Sequence, residues 1–268
     1  MRLTIDHRSR YSFSEPQARI VQMLRVTPQD HGGQTVAGWR IDIDQDCRLR
    51  EGRDGFGNIT TMLYIDGPLT EFAISVHGEV LTEACGGRVS GAPDPLPPLV
   101  YTRQTALTRA DTAIEALARE GGAPEAISRL VQGRARLFKS RPVLGRTAAQ
   151  TLAEGQGTAR DIAHLFASAV RVAGYPARFV AGHCLAFSSG PAARPHSWVE
   201  VLIDDEWIAF DPCVGARAEV DYVRVAAGLD ASDATPISGA REGGGIEMLD
   251  VDVDVEVEDA GQARQQQS

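Results

Sequence analysis

The sequence predicts an α+β fold, and three observations carry that prediction. Residues 1–90 read as strands with alternating apolar and polar positions, a helical stripe runs from Ile162 to Ala173, and further alternating strands follow the helix. Helices and strands that segregate along the chain, without repeated strand–helix–strand units, point to antiparallel sheets with helices laid on one side.

Each element has its own signal. "RLTIDHRSRYSF" places Leu3, Ile5 and His7 on one face, "GWRIDID" alternates Trp39, Ile41 and Ile43, and "EFAISVHGEV" alternates Phe72, Ile74 and Val76. "EGRDGFGN" contains Asp54-Gly55 and Gly57-Asn58, dipeptides that close hairpins. An N-terminal antiparallel β-sandwich over residues 1–90 is expected. "SGAPDPLPPLV" holds four prolines, none with an amide hydrogen to donate, so residues 91–100 read as an extended linker.

Beyond the linker, "TRADTAIEALARE" spaces Ile114, Leu117 and Ala118 as a helix. "APEAISRLVQGRARLF" does the same for Ile127, Leu130, Val131 and Leu137. The central helix starts at an N-cap, Thr158, with Asp161 three residues on. Its stripe is Ile162, Leu165, Phe166, Ala169, Val170 and Ala173, and Gly174 ends it. Strands "ARFVAGHCLAF", "HSWVEVLI" and "EWIAFDPCVG" follow, the last two joined by a tight turn at Asp204-Asp205. This core is expected to span 101–258. Its final segment, "LDVDVDVEVED", sets Val251, Val253, Val255 and Val257 against Asp252, Asp254, Glu256 and Glu258. That is a half-buried strand with a solvated acidic face, because a hard cation needs converging ligands rather than a row. Residues 259–268 have little to bury and are expected to be a disordered tail.

Composition limits the function classes. The 268 residues are 43% hydrophobic and 24% charged, which is globular, and no stretch approaches the ~18 apolar residues of a membrane span. A net charge of −9 argues against nucleic acid, whose partners concentrate positive charge. "MRLTIDHRSRYSF" has no apolar secretory core, so a cytoplasmic location and no membrane partner are expected. Cys47, Cys85, Cys184 and Cys213 are scattered, with no CxxC pair; neither a metal nor any other cofactor is expected.

Three positions line up as a reaction centre. Ala159 opens the central helix, His196 opens the strand "HSWVEV", and Asp211 ends "WIAFDP". Neighbouring antiparallel strands would set the last two side by side. Thiol acyl transfer uses this layout: a cysteine at a helix N-terminus has its thiol acidified by the helix dipole, a histidine acts as base, and an aspartate orients the imidazole.

"GTARDIAH", "YPARFVAGH", "HSWVEV" and "WIAFDPCVG" together resemble the bacterial branch of the transglutaminase-like superfamily, a papain-related cysteine-protease fold. The first third resembles that branch's N-terminal β-domain. The resemblance implies a transglutaminase/papain-like core in which the helix bearing the nucleophile packs on an antiparallel sheet. Residue by residue, it makes Ala159 the nucleophile position, normally cysteine, His196 the base and Asp211 the orienting acid.

A methyl group cannot attack a carbonyl, so the family's covalent route is closed to this chain. The expected protein is an inactive member, a pseudoenzyme with a triad remnant, that binds a peptide, acyl or anionic ligand or a protein partner in the former cleft. The alternative is an active cysteine-type transglutaminase, amidase or peptidase in which alanine was introduced for cysteine; a reinvented route, with His196 activating water, is the third. Thr158 and Arg160 beside the helix start are candidate anion contacts. The resemblance also implies partners encoded nearby: an active transglutaminase-like paralogue, an α-helical protein and an ATP-grasp-like protein. Cys184 and Cys213, Trp198 and Trp207, and His164 read as packing residues, His183 has no evident partner, and the loop 188–195 would border the cleft.

Overall fold

The structure is a computed structural model in which residues 1–138, 143–188 and 195–257 are described. Four strands open the chain: β1 (Arg2–Leu24), β2 (Gln34–Ile43), β3 (Arg48–Arg53) and β4 (Ile59–Thr82). β1 and β4 run antiparallel along almost their whole length, with register shifts between Ser12 and Arg19. Such irregularities bend a strand and increase its twist. β2 takes the second half of β4 and β3 the first. Tyr11, Phe13, Phe72 and Ile74 from one half then share a core with Ile20, Leu24, Leu63 and Ile65 from the other. The sandwich is built on one long antiparallel pair, β1 with β4, whose two halves share a core.

The second unit begins with a 3-10 turn (Pro98–Thr102), followed by α1 (Thr112–Gly121), α2 (Pro124–Arg134), β5 (Arg136–Leu137), α3 (Ala148–Glu154), β6 (Gln156–Gly157) and α4 (Ala159–Val172). Then come β7 (Ala177–Cys184), β8 (His196–Ile203), β9 (Glu206–Asp211), β10 (Ala216–Arg217) and β11 (Tyr222–Gly228). The sheet order is β10-β9-β8-β7-β11, antiparallel throughout. Ile162, Leu165, Phe166, Ala169 and Val170 of α4 are fully buried against Phe179, Val199, Val201 and Phe210 of the sheet. Asp204 and Asp205 both have positive φ, the two-residue turn expected between β8 and β9.

The structure corrects two sequence expectations. The second helix stops at Arg134 and does not reach Leu137, because the amides of Arg136 and Phe138 bond to the carbonyls of Gly155 and Gly157 and draw the chain into β5. Residues 101–258 are not one core either. β12 (Ile237–Glu242) and β13 (Glu247–Val257) pair with β1, so residues 237–257 complete the N-terminal sandwich. β1 needs a partner along its free edge, and Val253 and Val255 bury against Leu3 and Ile5. Asp252, Asp254 and Glu256 face outward as a row, and Val257 is also exposed. Glu258 and the tail 259–268 lie outside the described residues, as does the interior of the loop 188–195.

The two units are fastened at the free edge of β11. Gln34 donates from Nε2 to the Arg224 carbonyl (2.9 Å) and accepts the Arg224 amide at Oε1 (2.8 Å). Asn58 does the same with Ala227, at 2.7 and 2.8 Å. Two side-chain amides thus stand where a neighbouring strand would be. The 91–100 segment is fastened too: Asp94 accepts from Trp207 Nε1 (2.8 Å) and Tyr101 Oη (3.0 Å). Beneath it, Glu200 is fully buried between Arg178 and Arg224; burial would raise its carboxyl, but the two guanidinium groups hold it down to about 2.

His183 does have a neighbour, His7 of the sandwich, with ring centroids 6.0 Å apart and the planes edge to face. Burial lowers His7 to about 4 and His183 to about 3. Both fall below the ordinary 6.5, so the fold favours the neutral rings. Their contribution is full above pH 6.5 and is lost as pH falls through 6.5 toward 4 and 3. Denaturant unfolding is expected to show stability falling from pH 7 to pH 4, with a shallower fall in His183→Leu. Asn58→Ala should cost about 2–4 kcal/mol at pH 7, because it leaves the Ala227 amide and carbonyl buried without partners.

Candidate functional site

The start of α4 is built by sequence-local rules. Thr158 Oγ1 accepts the Asp161 amide, and the Asp161 carboxylate takes the Thr158 amide (3.0 Å) and hydroxyl (2.7 Å), a capping box. Gly157 must be bare: a Cβ there would lie 2.9 Å from Asp161 Cβ and 3.0 Å from Thr151 Cγ2. The cap fixes the first turn, so Ala159 is half-buried at the helix N-terminus with its methyl on a cavity.

Two strand ends supply the rest. His196 Nε2 lies 2.7 Å from Asp211 Oδ2, with both side chains almost fully buried. Tyr222 Oη donates to the same oxygen (2.8 Å), and the Cys213 amide donates to Oδ1 (2.8 Å). Burial alone would raise the Asp211 carboxyl, but the His196 hydrogen bond and charge, with the other two donors, hold it below the usual range. An ionised Asp211 can only accept, so Nε2 carries the imidazole proton. Nδ1 has no partner among the described residues. Phe187 stacks on the ring, centroids 4.4 Å apart.

Ala159 and His196 line one cavity of about 580 Å³. Its walls are mainly apolar: Leu137, Phe138, Leu144, Phe179 and Phe187 from the core, and Leu249 and Val251 from β13. Thr158 and Arg160, the candidate anion contacts, also line it. The Thr158 hydroxyl is committed to Asp161, whereas Arg160 bonds Val143 O through Nη2 (2.7 Å) and keeps its Nε buried without a hydrogen bond among the described residues.

The remaining candidates behave as packing groups. His164 accepts the Ala231 amide at Nε2 (3.0 Å), and burial lowers it to about 4. Trp198 and Trp207 lie in a buried cluster. Burial, with lesser contributions from neighbouring groups, pushes the Cys184 thiol up to about 12, and burial and Asp211 push Cys213 well above 9, so neither is a ready thiolate. Cys213 Sγ nevertheless lies with donor atoms of His196 and Asp211 in a group no wider than 4.8 Å. Tyr222, Phe187 and the β13 wall carry no mark in the sequence, since each reaches the site through tertiary contact.

Residues 109–212 match the transglutaminase-like superfamily, and residues 3–81 match the bacterial transglutaminase-like N-terminal region. The chain belongs to the transglutaminase-like superfamily. An "Uncharacterized protein" of Mycobacterium leprae (strain TN) is 24% identical over 95% of this chain and 98% of its own. The solved "Putative Cysteine Protease from Cytophaga hutchinsonii" superposes with a TM-score of 0.76, covering 96% of this chain and 90% of that one at 19% identity, which shows a shared fold.

In this transglutaminase-like chain His196 and Asp211 are hydrogen-bonded, and Ala159 lines the same cavity as His196. Tyr222→Phe removes one of three donors to a buried carboxylate. It is expected to lower stability by about 1.5–3 kcal/mol in denaturant unfolding, while the His196–Asp211 bond persists as a protected imidazole N–H in NMR spectra.

Proposed function

We propose that this protein is a non-catalytic member of the superfamily, one that keeps the former reaction cleft as a binding site for the acyl or peptide portion of a ligand. The observation that carries the reading is Ala159: the helix N-terminus that would acidify a thiol carries a methyl group, while the cavity around it remains open and mainly apolar. The walls suit an aliphatic or aromatic chain. The Ala159 and Arg160 amides at the helix start and the Arg160 guanidinium suit a carbonyl oxygen or carboxylate at its end, and the acceptor Nδ1 of His196 suits an N–H or O–H donor beside it.

The intact His196–Asp211 pair favours a second reading, an active acyl-transfer enzyme for which alanine has been put in place of cysteine. The gene's codon for residue 159 separates the two readings directly.

The experiment is to restore the thiol. Ala159→Cys, treated at neutral pH with a thiol-reactive probe and with a labelled amine plus a glutamine peptide, is expected to label at residue 159 at least about tenfold faster than in the Ala159→Cys/His196→Ala double variant. The unaltered chain should turn over no acyl substrate. Turnover by the unaltered chain would overturn the non-catalytic reading. An introduced thiol that stays inert would mean that His196 no longer serves this position.

A further inference from the structure

Behind the cavity, at the ends of β8 and β9, His196, Asp211 and Cys213 bring one nitrogen, one oxygen and one sulfur donor within 4.8 Å of one another. We propose that these three side chains form a binding site for a thiophilic divalent cation, zinc(II) in the first instance. The inference does not depend on what the cavity itself holds.

The donor set decides the class of ion. Calcium and magnesium take oxygen ligands, whereas imidazole with thiolate is the chemistry of zinc and its neighbours. Tetrahedral zinc, at ~2.0–2.3 Å from each donor, holds those donors ~3.3–3.6 Å apart. His196 and Asp211, now 2.7 Å apart, would open slightly, and Cys213 would close on them. That closing would take a rotation of the Cys213 side chain, the one of the three ligands that is only half-buried. The surroundings already support the ligands: Tyr222 Oη and the Cys213 amide each donate to Asp211, the kind of second hydrogen-bond layer that fixes a ligating carboxylate.

The protons balance simply. The ion replaces the proton on His196 Nε2, which moves to Nδ1, and the Cys213 thiol releases its proton to solvent, one proton per ion bound. The ion and the His196–Asp211 hydrogen bond are therefore mutually exclusive. In a working thiol enzyme that exclusion would abolish the base. With Ala159 in place there is no nucleophile to lose, and His196 changes from a hydrogen-bond acceptor at Nδ1 to a donor.

The test uses the full chain, stripped with chelator and titrated with cobalt(II) as a spectroscopic substitute. The expected result is a near-ultraviolet thiolate-to-cobalt absorption that saturates at one equivalent, is displaced by zinc, and releases one proton per ion at neutral pH. Cys213→Ser should abolish the band, and Asp211→Asn should weaken zinc binding about tenfold or more in chelator competition. Cys184→Ser, a change at the neighbouring buried thiol, should leave the band intact. A titration with no thiolate band overturns the proposal, as does a band that survives in Cys213→Ser or vanishes only in Cys184→Ser. Thermal unfolding of each variant without metal shows whether it folds; should Asp211→Asn fail, the band in the unaltered chain and its loss in Cys213→Ser decide the matter.

Discussion

The pairing of Gln34 and Asn58 with the outer edge of β11 is the interaction on which the rest of the arrangement depends. An edge strand buried against another unit has amide and carbonyl groups that water cannot reach, and each would be expensive to leave unpaired. Two side-chain amides satisfy them residue by residue, at Arg224 and Ala227. That fixes the sandwich in register with the core, and everything it delivers follows: His7 against His183, Val253 and Val255 against the core-facing cluster, and Leu249 and Val251 in the wall of the cavity. The cleft is therefore a property of both units.

Charge organises the interior behind that edge. Glu200 is buried between Arg178 and Arg224, and Arg178 also covers the Trp207 ring at 4.1 Å, where the 91–100 segment is tied down through Asp94. A buried carboxylate with two guanidinium groups holds its place only as a complete set, since removing any member leaves uncompensated charge. The cluster shares the face of β8 that ends in His196, so the strand presenting the imidazole is held two and four residues further along, by Trp198 and Glu200.

Much of this was legible in the sequence where the signal was local. The Thr158–Asp161 cap, the α4 stripe, the turn at Asp204-Asp205 and the placement of His196 beside Asp211 follow from spacing and side-chain chemistry within a few residues or across one hairpin. What was not legible depended on distant partners. The end of α2 is set by β6, some twenty residues later. β13 reads correctly as a strand, yet nothing in "LDVDVDVEVED" says that its partner is β1, more than two hundred residues earlier. Tyr222 reaches Asp211 from another strand, and a lone tyrosine among alternating residues carries no mark of that role.

The β11 edge has a further consequence. Uncovered strand edges template pairing with other chains, and Gln34 and Asn58 cover this one by supplying its hydrogen bonds in both directions. The sandwich therefore shields that edge of the core. A core freed of it by proteolysis would present an unpaired row of backbone donors and acceptors beside the apolar residues Val223 and Val225, a surface prepared for self-association.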